Sequence, residues 1–184
     1  MKLPVYNILL DGAEGITKMS LVDYPAVESD FLAFGKEQPL KFSIDEDQHI
    51  VFGVALRADF PIYRRDERGE YYVIFTKDVI NQLYQKFLKE DKLSAVNLDH
   101  NTDTKGVYLI QSFIKDESNG IAPLGFSEIK DGSWFVAYKV ENEDVWKQVK
   151  EGTFRGFSVE GSFVLEPQKE PSIDDIINEM LENQ

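Results

Sequence analysis

Apolar residues in this chain gather in short runs, each cut off by glycine, proline or an acidic turn, a pattern that builds strands far more readily than helices. Tyr6 to Leu10, Met19 to Val22 and Phe31 to Phe34 are the first such runs. Phe42 to Ile44 and Ile50 to Leu56 follow, with Asp45-Glu46-Asp47 as the turn between them. Arg64 to Glu70 reads as a polar hairpin turn ending in Gly69-Glu70 and feeding the strand Tyr71 to Phe75. Further strands are expected at Ser94 to Leu98, Val107 to Ile114, Ser133 to Val140 and Phe154 to Leu165. Thirteen Phe and eight Tyr supply the bulky cross-strand pairs that sheets favour.

Helical spacing is confined to a few places. After the capping residue Thr76, the residues Val79, Ile80, Leu83, Tyr84, Phe87 and Leu88 form one wide apolar stripe. A second helix is expected from Glu143 to Lys150, capped by Asn142 and ended by Gly152, with Val145, Trp146 and Val149 turned inward. The tail changes character. Glu166 to Pro171 reads as a linker, and Ser172 opens an acidic amphipathic helix carrying Ile173, Ile176, Ile177, Met180 and Leu181 on one face. The fold expected is α+β: a mostly antiparallel β-barrel or sheet surrounded by helices over residues 1–166, then a linker and helix over 167–184.

Charge and composition remove several classes of function. A formal net charge of -13 repels nucleic-acid backbones, and no basic patch is denser than Arg64-Arg65. No apolar run approaches the roughly 20 residues that span a bilayer, and no secretory leader is expected at the N-terminus. Two histidines and no cysteine do not provide a zinc ligand set, and no cofactor is expected. Asp99-His100-Asn101-Thr102-Asp103 has the alternating oxygens of a calcium loop. Thr104 and Ile110, however, stand where such a loop needs glycine and glutamate.

What remains is a serine and a base. Gly156-Phe157-Ser158-Val159-Glu160-Gly161 puts Ser158 early in a glycine-bracketed strand, sharing a face with Glu160 and Ser162. A hydroxyl is a poor nucleophile until a base takes its proton, and imidazole suits that task near neutral pH. His100 ends the run Ala95-Val96-Asn97-Leu98-Asp99 and shares strand parity with Val96 and Leu98; His49, beside an acidic turn, reads as a surface residue. For a third group that orients the imidazole, Glu117 is favoured, with Asp116 and Glu160 as alternatives. An oxyanion would be held by backbone amides or by a cation such as Arg155.

The chain resembles the XkdF-like phage serine proteases, a group of capsid maturation (prohead) proteases. The likeness runs through Ser20-Leu21-Val22-Asp23-Tyr24-Pro25-Ala26-Val27, Ile62 to Asp66 and Gly69 to Tyr72. It continues through Val96 to Asn101, Trp134 to Val136, Val140 to Asn142, Val145-Trp146 and Gly156 to Gly161, in that order. The resemblance implies a fold related to herpesvirus assemblin, a β-barrel ringed by helices. It also implies that Ser158 and His100 are the catalytic pair of an endopeptidase. Its substrates would be the scaffold and major capsid proteins, and the enzyme itself, inside a procapsid in the host cytoplasm, with self-association compatible with that setting. Gln111-Ser112-Phe113-Ile114 stands where the family pattern would have Glu-Ser-Trp-Ile, so a third residue at that glutamate would be missing here. The rival expectation is a catalytically inactive protease-like domain that binds scaffold as a capsid assembly factor.

Overall fold

The computed structural model describes residues 3–23 and 43–168, and the apolar runs of those segments are strands. In chain order they are β1 (Val5–Leu9), β2 (Gly15–Val22), β3 (Ser43–Asp45), β4 (Ile50–Leu56), β5 (Pro61–Asp66) and β6 (Gly69–Ile74). Then come β7 (Val96–Leu98), β8 (Thr102–Asp103), β9 (Val107–Ile114), β10 (Trp134–Val140), β11 (Gly156–Ser162) and β12 (Val164–Pro167). Helix α1 (Lys77–Lys89) joins β6 to β7, and α2 (Glu143–Lys150) joins β10 to β11. The architecture is α+β. The strands expected over residues 31–34 and the helix expected in the tail lie outside the described residues.

The strands form open four-stranded sheets with the orders β12-β1-β6-β5, β3-β4-β10-β9 and β11-β2-β7-β8. The barrel alternative therefore gives way to open sheets packed on a shared core. The single strand expected over Phe154 to Leu165 is also split at Phe163, because the chain leaves one sheet there and enters another. Most pairs are antiparallel, but β1 with β6 and β2 with β7 are parallel. The second of these carries the site.

Both helices form where their spacing predicts. Thr76 Oγ1 accepts from Val79 N at 3.4 Å, and α1 buries Val79, Ile80, Leu83 and Phe87. Asn142 Oδ1 accepts from the amides of Asp144 and Val145 at 3.1 Å each, so two donors at the start of α2 are satisfied by one cap. Phe87 meets Trp134 edge to face at 5.4 Å, locking α1 onto β10. β10 is the most enclosed strand, since its residues are apolar in both parities. One face joins the main core with Trp134, Val136 and Tyr138. The other gathers Phe135 against Phe52 and Phe113, at 5.7 and 5.6 Å, with those two rings 6.1 Å from each other. Among the described residues no helix is long and apolar enough to cross a membrane.

Candidate active site

Register brings three polar side chains into one row. Ser158 on β11 lies opposite Ser20 on β2, and Ser20 lies opposite Asn97 on β7. Directly opposed residues share a face of the sheet, so a buried row Ser158–Ser20–Asn97 crosses three adjacent strands. Met19, Leu21, Val96, Phe157 and Val159 fill the core on the other face. Glu160, two residues beyond Ser158, extends the same polar face.

His100 reaches this row by a route that strand parity does not give. Extrapolated along β7, it would project with Val96 into the core. Instead Asp99 and His100 both take left-handed backbone, with φ of 48° and 58°. They are the central residues of the turn between β7 and β8, closed by Asn101 N donating to Leu98 O at 3.0 Å. Two consecutive non-glycine residues in that region cost about 1–3 kcal/mol each. The turn is pinned to β2 by Asp99 N donating to Leu21 O at 3.0 Å, and by Asp23 N donating to Asp99 Oδ1 at 3.2 Å. The rotation swings the imidazole to the serine face, where Nδ1 lies 2.9 Å from Ser20 Oγ.

The polar row continues as a chain of short bonds. Ser20 Oγ donates to Asn97 Oδ1 at 2.5 Å, and Asn97 Nδ2 donates to Glu160 Oε2 at 2.7 Å. Above it opens a cleft of about 440 Å³ lined by Arg64, His100, Ser158, Val159, Glu160, Gly161 and Phe163. Ser158 and His100 thus face one space, while Ser20, fully buried, does not line it. A smaller cavity of about 190 Å³ adjoins it, sharing Arg64, Gly161 and Phe163 and walled by Arg68 and Tyr71 as well as Ile8, Val73, Phe75 and Leu165. Burial lowers the pKa of Arg64 from its ordinary value, and its guanidinium donates to the carbonyl of Tyr63 at 3.2 Å.

The other expected residues lie elsewhere. Glu117, favoured as the orienting group, pairs with the buried Lys115 at 2.7 Å, and Asp131 lies 3.8 Å from the same ammonium. Asp116 caps a single 3-10 turn through Ser118 and Asn119, bonds that hold its pKa low. Neither lines the cleft, and of the carboxylates weighed as a third group only Glu160 does. Arg155 is engaged by Asp23 at 3.3 Å and donates to Gly152 O at 2.8 Å, and it does not line the cleft, whereas Arg64 does. His49 is half-buried rather than a free surface residue, stacked on Trp146 at 4.4 Å. Among the described residues no group of three or more His, Asp or Glu side chains is gathered for a metal. Ser20 and Asn97 escaped the sequence reading, although each is a polar residue inside an apolar strand, and buried polar positions are the informative ones.

A family model described as "Putative phage serine protease XkdF" matches residues 40–178. The phage-like element PBSX protein XkdF of Bacillus subtilis (strain 168) is 23% identical over 178 residues, covering 90% of this chain and 60% of the relative. "Uncharacterized protein YqbD" of the same organism is 27% identical over 171 residues, covering 85% of this chain and 47% of the relative. The chain therefore spans about half to three-fifths of the length of these relatives. No solved structure matches.

Proposed function

Since this chain belongs to the family described as "Putative phage serine protease XkdF", we propose that it is a serine endopeptidase acting in phage procapsid maturation. The observation that carries the reading is that Ser158 and His100 line one cleft although 58 positions separate them in sequence. In this mechanism Ser158 Oγ attacks the scissile carbonyl carbon and its proton passes to the ring of His100. The C–N bond then breaks as the leaving amine takes that proton. Water repeats the sequence on the acyl-enzyme and releases the acid, restoring the serine. Arg64 stands at the cleft as the cation for the developing oxyanion, worth most where water is excluded. The adjoining cavity, with Arg64, Arg68 and Tyr71 on one part of its wall and Ile8, Val73 and Leu165 on another, would take a substrate side chain beside the cleaved bond.

The substrates on this reading are segments of the scaffold and major capsid proteins, and the chain itself, cut inside the procapsid within the host cytoplasm. The tail after residue 166 would then be a tether to scaffold. A second reading is a catalytically inactive, scaffold-binding assembly factor. What favours it is that the hydroxyl bonded to His100 belongs to Ser20, while Ser158 makes no hydrogen bond through its side chain among the described residues.

The deciding experiment combines a fluorophosphonate probe with cleavage of co-expressed scaffold and capsid proteins. Peptide mapping should find the adduct on Ser158, and Ser158→Ala should abolish both labelling and processing. His100→Ala should lower the rate at least about a thousandfold, as loss of the base from a catalytic unit does. Glu117→Ala should process normally. Undiminished processing by Ser158→Ala would end the enzymatic account and leave the assembly factor.

A further inference from the structure

The bonds beneath the cleft impose a direction on every proton in them. A carboxylate accepts hydrogen bonds and does not donate them. Glu160 Oε2 must therefore receive the amide NH₂ of Asn97, which turns Asn97 Oδ1 toward Ser20. That oxygen can only accept, so the single hydroxyl proton of Ser20 is committed to it. Ser20 Oγ then has lone pairs alone to offer His100, and the 2.9 Å contact requires a proton on Nδ1. In neutral imidazole one nitrogen donates and the other accepts. The base lone pair accordingly sits on Nε2.

We propose that Ser20 and Asn97 are positioning residues, coupling the Glu160 carboxylate to His100 through two intervening side chains and fixing the Nδ1–H tautomer. The inference rests on the function proposed above, because it matters only if Nε2 is the atom that receives the proton of Ser158. It replaces a third residue touching the histidine with a relay. Glu160 orients Asn97, Asn97 orients the hydroxyl, and the hydroxyl orients the ring. No proton moves along the relay during the reaction. When Nε2 takes the serine proton, Nδ1 keeps its own, and Ser20 presents an oxygen lone pair to the imidazolium.

The elements are suited to this arrangement. Ser20 and Asn97 are fully buried in the middle of paired strands, so their rotamers are held by packing. His100 is exposed on its turn, and a ring there would lose its orientation without a fixed partner on one side. The left-handed turn at Asp99 and His100 supplies the aim, and Ser20 supplies the stop.

The test is ¹⁵N-histidine NMR on the full chain, where only His49 and His100 contribute and His49→Gln assigns the signals. At a pH where the ring is neutral, Nδ1 of His100 should be protonated and Nε2 bare. Ser20→Ala should lose that preference and lower kcat by about 100-fold, within the range by which general-base catalysis contributes. Ser20→Thr, which keeps a hydroxyl, should restore both. If Ser20→Ala does not fold, the native spectrum decides the matter alone. An Nε2–H tautomer in the native protein, or one unchanged in folded Ser20→Ala, overturns the relay. Probe labelling of Ser158 with the wrong tautomer would sink the relay and spare the protease. The right tautomer without labelling would do the reverse.

Discussion

Tyr138 shows how burial alone changes what a residue can do. Its hydroxyl is buried in the core without a hydrogen-bond partner among the described residues, and desolvation pushes its pKa well above the ordinary 10.0. An unpaired buried hydroxyl destabilises by about 1–3 kcal/mol. Tyr138→Phe keeps the ring that packs on Phe157 at 5.5 Å and removes only the oxygen. It should leave the protein as stable or raise its urea midpoint, and a clear fall would mean that the hydroxyl has a partner in solution. The same logic separates Ser20 from Ser158. Both are buried serines on paired strands, and only their neighbours differ: Ser20 Oγ lies 2.9 Å from His100 Nδ1, while Ser158 lines the cleft. In the sequence Ser158 was legible because glycine, parity and a family motif surround it. Glu160 was legible only as one of several carboxylates among 33 acidic residues. That Glu160, and not Glu117, accepts from Asn97 depends on which strands lie side by side.

Among the elements, the β5–β6 hairpin has the strongest local electrostatics. Asp66 accepts from Arg68 Nε at 3.0 Å and from Tyr71 Oη at 2.7 Å, and those bonds hold its pKa well below the ordinary 3.8. A carboxylate depressed in the fold stabilises above its unfolded pKa, and that contribution fades as pH falls toward the folded value. The stability difference between the native chain and Asp66→Asn should therefore be largest near pH 6 and narrow steadily toward pH 2. Urea denaturation at a series of pH values measures it, and a gap that stays constant would show that the aspartate acts by shape rather than charge. The sequence predicts the hairpin, with Arg64 to Asp66 in its turn. The chain stays extended to Asp66 and turns at Glu67-Arg68, because the register pairs Arg64 with Tyr71 and Arg65 with Glu70. That places Arg64 on a strand at the cleft rather than in a solvated loop. Helices α1 and α2 were fully readable, since cap and stripe are local signals that act within one or two turns.

At the scale of the whole molecule, the site sits where two sheets exchange a chain. β11 belongs with β2, β12 belongs with β1, and Gly161 at the end of β11 touches both cavities. A β-carbon there would fall on the carbonyl oxygen of Gly15 and against the ring of Phe163. Backbone cannot yield as a flexible side chain does. Gly161→Ala should lower stability by about 1–3 kcal/mol, the range for forced overpacking, and should reduce turnover more than substrate binding. Urea unfolding with steady-state kinetics on the same sample checks this. Wild-type values in both would show that the sheets slide without consequence for the cleft.

The sequence by itself determined what depends on near neighbours: the helices with their caps, the strand-forming runs and the α+β class. Tertiary structure alone decided the split of the last strand between sheets, the parallel pairing of β2 with β7, and the turn that carries His100 across the sheet. The reason is range. Capping and periodicity are settled over a few residues, whereas the partners of Ser20, Asn97 and Glu160 are chosen by which distant strands lie side by side, and no local preference encodes that choice.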